Sequence, residues 1–100
     1  MNIQNSEKFY AQAQNFMHGG VNSPVRACRA VGRAPLFIDH AKGSKIYDVD
    51  GNEYIDYICS WGPNILGHSN ERVINAVTET CQRGLTFGAC HSGEIELAKL

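Results

Sequence analysis

The sequence predicts an α+β fold: an N-terminal helix, a three-stranded antiparallel meander, and then further helices. Three observations carry this. Apolar residues recur at helical spacing over the first seventeen positions. Three short β-prone runs follow, separated by turn residues, and helical spacing returns from about residue 70. One hundred residues make at most one small domain, with an ordinary composition of 43% hydrophobic and 19% charged residues and no low-complexity tract or repeat.

In the first element Ser6 is placed to cap the helix, and Glu7 stands in the first turn, where the helix dipole favours an anion. Phe9, Tyr10, Ala13, Phe16 and Met17 form one apolar stripe, and Gly19-Gly20 stops the helix. So short a helix needs a partner surface, so the stripe reads as a docking face.

The stretch Gly19-Gly20-Val21-Asn22-Ser23-Pro24-Val25-Arg26-Ala27 comes next. The glycines release the backbone, and the proline biases Ser23 toward an extended conformation. Arg26 is thus held on a segment that cannot be regular helix. There it can serve as a fixed fork for a carboxylate or phosphate, or lie solvated as surface arginines commonly do.

The strands are predicted at Ala34 to His40, Lys45 to Val49 and Glu53 to Ile58, with turns at Ala41 to Ser44 and at Asp50-Gly51-Asn52. Aromatic and β-branched residues fall on both faces of the last strand, so something else should cover at least one face. Asp48, Asp50 and Asp56 do not have the spacing of a calcium loop, and the hairpin accounts for Asp50.

Cys59 to His68 is irregular and contains the only tryptophan, Trp61, in the company of two glycines and a proline. It reads either as a pocket wall or as a plug over a small core. Ser69 or Asn70 then caps a second helix with Val73, Ile74, Val77 and Cys81 on one face, ended by Gly84. Ser92 or Gly93 opens a third helical pattern that runs to Leu100. Its end in mid-pattern suggests the N-terminal piece of something longer.

Composition also narrows the partners. Net charge is −1 and the nine basic residues are scattered, which leaves no electrostatic footprint for nucleic acid. No apolar run approaches the roughly 18 residues that span a bilayer, and no basic-then-apolar leader opens the chain, so a cytoplasmic protein without a membrane partner is expected. Cys28, Cys59, Cys81 and Cys90 form no Cys-x-x-Cys pair, so a zinc site or disulfide framework is weakly supported and reduced, mostly buried thiols are expected.

Taken together, Gly-Gly-Val-Asn-Ser-Pro-Val-Arg-Ala at 19–27, Tyr-Asp-Val-Asp-Gly-Asn-Glu-Tyr-Ile-Asp-Tyr at 47–57, Ser-Trp-Gly-Pro at 60–63, Ile-Leu-Gly-His at 65–68 and Phe-Gly-Ala at 87–89 resemble the glutamate-1-semialdehyde aminomutase family. The Asp-x-Asp-Gly hairpin and the Gly-His turn are shared with class III aminotransferases at large. Asn-Ser-Pro-Val-Arg with Ser-Trp-Gly-Pro is the more specific part. The sequence departs from the family pattern at His18, Cys28, Asn70 and Cys90-His91, outside those two motifs.

The resemblance implies a pyridoxal-phosphate enzyme of fold type I, a homodimer, that converts glutamate-1-semialdehyde to 5-aminolevulinate for tetrapyrrole synthesis. It implies that residues 1–68 belong to the small domain and 69–100 begin the large α/β cofactor domain. Arg26 would bind the substrate carboxylate with Ser23 nearby, and Trp61 would wall the pocket. The lysine, aspartate and phosphate loop that hold the cofactor would lie beyond Leu100. The hundred residues alone are therefore expected to be inactive, with no catalytic or cofactor-binding residue of their own, and to self-associate through their apolar faces. The other readings are a different class III ω-aminotransferase and a non-catalytic α+β interaction module. The motif around Arg26 and Trp61 separates the first of these from the aminomutase.

Overall fold

A computed structural model describes residues 1–100, which form two compact units, Met1–Ser69 and Asn70–Leu100. In the first, helix α1 spans Gln4–Ala13, and strands β1 (Ile38–Lys42), β2 (Lys45–Asp48) and β3 (Glu53–Ile55) form an antiparallel sheet in the order β1-β2-β3. In the second, α2 spans Glu71–Cys81 and α3 spans Ser92–Ala98.

Ser6 does not cap α1. It is buried one turn inside the helix, where its hydroxyl accepts the Phe37 amide at 3.2 Å. The cap comes from far along the chain: the Asp50 carboxylate accepts the amides of Asn5 at 2.8 Å and Ser6 at 2.9 Å. Two amides that the helix cannot pair internally thus meet an anion at the positive end of its dipole. The helix closes at Ala13, short of Phe16 and Met17, because Asn15 and Phe16 bond back to Gln12 and Ala13 in tighter turns. Phe16 is consequently exposed, while Phe9 meets Phe37 with ring centroids 5.7 Å apart.

Gly20 joins the glycine stretch to α1. Its φ is +73°, and a Cβ there would sit 2.7 Å from Cε2 of Tyr10. Gly20→Ala is expected to push the Tyr10 ring off the turn and lower the thermal midpoint by roughly 5–10 °C, checked by a melt followed by circular dichroism.

The meander is shifted from the sequence reading. Residues 34–37 are not strand, β1 runs on through Ala41 and Lys42, and the turn shrinks to Gly43-Ser44 with Lys42 opposite Lys45. Pro35 has no amide to give a ladder, and Gly43 at φ +57° allows a two-residue connection. β3 stops at Ile55, before the expected Ile58, because the Asp56 carboxylate takes the amides of Ile58 and Cys59.

Asp48 organises the hairpin between β2 and β3. Only 2% exposed, its Oδ1 accepts the amides of Asp50 at 3.0 Å and Asn52 at 2.8 Å, and its Oδ2 accepts Asn52 Nδ2 at 2.8 Å and the Tyr54 hydroxyl at 2.7 Å. Burial works to raise its pKa, but these four donors outweigh it and hold the carboxyl at about 2. Across the three strands, Lys45 and the Tyr47 hydroxyl both engage Glu53, and His40 stacks on Tyr47 at 4.5 Å.

In the second unit Asn70, not Ser69, caps α2 by accepting the amides of Arg72 and Val73 at 3.1 and 3.4 Å. His91 caps α3 through Nδ1, which accepts the Gly93 amide at 3.1 Å, so α3 opens at Ser92, one of the two starts expected. The stripe of Val73, Ile74 and Val77 on α2 is exposed.

Ala13, Ala27 and Pro35 are the buried apolar side chains of the whole chain, and Ile38 and Ile55 of the sheet remain exposed, so these residues do not themselves supply the cover expected for the sheet. The thiols are free but not mostly buried: Cys59 in a turn, Cys81 on α2 and Cys90 in the segment before α3 are exposed, with nothing in this chain packed over them, and only Cys28 is partly covered. No helix is long and apolar enough to cross a membrane.

Candidate functional site

The opening glycine stretch folds as a succession of tight turns. Pro24 starts a single 3-10 turn over Pro24–Ala27, as suits a residue with fixed φ and no amide, and the Arg26 amide donates to Ser23 O at 3.0 Å. Cys28, at φ 54°, turns the chain away immediately afterwards. Arg26 is therefore presented on a short, locally determined backbone. Its Nη1 donates to Asn22 Oδ1 at 2.8 Å, and no carboxylate pairs with it, so the rest of the fork is open to a ligand.

Arg26 borders a cavity of about 450 Å³ whose walls include Met17, Leu36, Phe37 and Ile38. One guanidinium over an apolar lining suits a small molecule with one carboxylate and a short carbon chain. Ser23 lies on an adjoining cavity of about 370 Å³ with His18, Pro24 and Arg29, and Val21 and Asn22 border both. Arg26 and Ser23 are thus brought to two sides of one turn.

Trp61 borders neither cavity and is 68% exposed, so it is not a plug over the core of this chain. It ends a turn in which Cys59, Ser60 and Trp61 have φ of 50°, 55° and 65° in succession, followed by Gly62 at 113°. Left-handed geometry costs about 1–2 kcal/mol for each non-glycine residue, so this turn persists only if its surroundings over-determine it.

Those surroundings include two residues that the sequence did not bring together. Asp56 and His68 meet at 2.6 Å between Oδ2 and Nε2 at the two ends of the Trp61 segment. The His68 hydrogen bond, then the amide of Ile58, holds the Asp56 carboxyl below the ordinary aspartate range. In sequence both residues fall inside the motifs at 47–57 and 65–68, but nothing there shows that the two side chains meet. The four lysines stand apart from all of this. None lines the two cavities at Arg26 and Ser23, Lys45 is tied to Glu53, and Lys99 to Glu96 at 2.9 Å.

Residues 27–99 match the family model described as aminotransferase class III. The chain belongs to that family. Across all 100 residues it is 58% identical to a glutamate-1-semialdehyde 2,1-aminomutase of Syntrophomonas wolfei, and over 95 residues it is 60% identical to the enzyme of that name from Clostridium novyi. It spans 23% and 22% of those two proteins, so it corresponds to about a quarter of their length. In fold it is similar to a solved transaminase with PLP bound, with a TM-score of 0.87 and 29% identity over 99% of this chain and 23% of that one. The helix-plus-meander arrangement expected from sequence is thus the arrangement of part of a pyridoxal-phosphate transaminase.

Proposed function

We propose that the chain is the N-terminal, substrate-facing part of a glutamate-1-semialdehyde 2,1-aminomutase, which moves an amino group from C2 to C1 of its substrate and yields 5-aminolevulinate for tetrapyrrole synthesis. The observation that carries this reading is the 58% identity to an aminomutase along the whole chain. In it Arg26 binds the substrate carboxylate, Ser23 stands beside it, and Trp61 forms a wall of the pocket. The open fork of Arg26 supports the first role: it fixes one end of a short substrate and so orients the carbons that exchange the amino group.

Pyridoxal phosphate supplies an electron sink for the amine-bearing carbon. The residues here do not fit its attachment, since no lysine lines the cavities at Arg26 and Ser23, and the groups that hold it belong outside these hundred residues. In the same proposal residues 1–68 belong to the small domain, 69–100 begin the large one, and the enzyme is a cytoplasmic homodimer. Exposed Val73, Ile74 and Val77 support a larger assembly, since they form an apolar stripe that such an assembly would cover.

Likeness to a transaminase structure favours a second reading, a class III transaminase that needs an external oxo acid. One assay separates the two. The full-length protein, loaded with cofactor and given glutamate-1-semialdehyde alone, should accumulate 5-aminolevulinate without any added amino donor or acceptor. Dependence on an added oxo acid would assign it to the transaminases. The 100-residue chain should form no product, and borohydride reduction in the presence of pyridoxal phosphate should label no single lysine stoichiometrically.

A further inference from the structure

The substrate contacts proposed above leave Asp56 and His68 without a role, yet they bracket the segment that carries Trp61. Both side chains are largely withdrawn from solvent, at 8% and 20% exposure. While Oδ2 of Asp56 meets His68, Oδ1 accepts the amides of Ile58 at 2.8 Å and Cys59 at 3.1 Å. A single carboxylate thus closes the base of the loop over 57–67 and fixes where its left-handed turn begins.

The base is anchored as well as closed. His68 and Gly43 exchange backbone hydrogen bonds at 2.8 and 2.9 Å, the Asp56 amide donates to Ser44 O at 2.8 Å, and the Ser69 hydroxyl donates to Ala41 O at 2.9 Å. Gly67 completes the fit, since at φ +77° a Cβ would lie 3.0 Å from Gly43 O. The loop therefore grows from the β1–β2 turn.

Trp61 has no such support of its own. Its amide donates to Ile58 O at 3.0 Å, but its indole ring enters no hydrogen bond or ring contact and is exposed. The place of the ring therefore follows first from the backbone that carries it, and the Asp56–His68 pair closes that backbone at its base.

We propose that Asp56 and His68 form a latch that positions Trp61, which makes both of them positioning residues for the substrate wall. The functional half of this rests on Trp61 being that wall; the latch itself does not.

The test uses the full-length protein labelled with 5-fluorotryptophan, in which the fluorine resonance lost in Trp61→Phe identifies Trp61. Asp56→Asn keeps an oxygen for the Ile58 and Cys59 amides but removes the carboxylate from His68, and His68→Gln removes the ring from the other side. Each single variant should broaden or split the Trp61 resonance and speed amide exchange at 58–62 by about tenfold or more. The double variant should add nothing to either single one, as members of one contact behave. With substrate, KM should rise by a larger factor than kcat falls. An unchanged resonance and unchanged exchange in both single variants, or fully additive effects in the double one, would overturn the latch. Movement of Trp61 with KM unchanged upholds the latch and removes instead the reading of Trp61 as a pocket wall.

Discussion

Asp48→Ala is expected to lower the thermal midpoint of the Met1–Ser69 unit by roughly 10 °C or more, the largest stability effect of any single replacement in the hairpin. The carboxylate accepts four hydrogen bonds, two from backbone amides and two from side chains, and it is buried. Removing it takes the carboxylate acceptor from the backbone amides of Asp50 and Asn52 and leaves Tyr54 only the weak sulfur acceptor of Met1, a heavier loss than that of an exposed ion pair. The damage also spreads, because this turn presents Asp50 to the start of α1. Loss of helical signal together with the sheet would confirm that route. A melt within 2–3 °C of the parent would refute it.

The same group sets an acid limit. Its pKa of about 2 in the folded chain lies below the ordinary 3.8. A depressed carboxyl contributes stability that is fully present above the unfolded value, and this contribution is lost as pH falls from about 4 toward 2. Asp50 and Asp56 are lowered too and act in the same direction. Asp48→Asn should be less stable at neutral pH, because its amide would face the Asn52 donor, yet should lose less on further acidification. Denaturation midpoints measured at pH 6, 4 and 3 check this, and parallel pH profiles for parent and variant would count against it.

How much of this was legible in the sequence differs from residue to residue. Asp50-Gly51-Asn52 announced its hairpin, and Val73, Ile74, Val77 and Cys81 announced α2, because turn chemistry and helical periodicity are local. What stayed hidden is non-local. Nothing near Ser6 indicates that the cap of α1 comes from Asp50, and nothing near Trp61 indicates that Asp56 and His68 close the loop around it. The same holds for burial. An apolar stripe shows that a face wants cover without showing whether this chain provides it, which is why the thiols expected inside are largely outside. Arg26 lies between these cases. The glycines and proline fix its backbone legibly, while the cavity it borders is walled by Leu36, Phe37 and Ile38, contributed from the start of the meander.

Arg26→Ala is expected to cost the full-length enzyme a factor of about 100 or more in kcat/KM for glutamate-1-semialdehyde, with most of the loss in KM. A carboxylate bound through a guanidinium is held before, during and after the chemical step, so losing the clamp weakens binding at every stage. The part that orients the reacting carbons adds a smaller fall in kcat. Arg26→Lys separates charge from shape. Lysine keeps the positive charge but cannot bond to Asn22 and a carboxylate in one planar fork, so roughly a tenfold loss should remain. Cofactor loading, followed by absorbance, should stay at the parent level in both variants, since Arg26 serves the substrate end. Steady-state kinetics with the semialdehyde, together with inhibition by a simple dicarboxylate of similar length, provide the measurement. If the inhibitor binds parent and Arg26→Ala equally well, the carboxylate is held elsewhere, and Arg26 returns to being a solvated loop arginine whose only partner is Asn22.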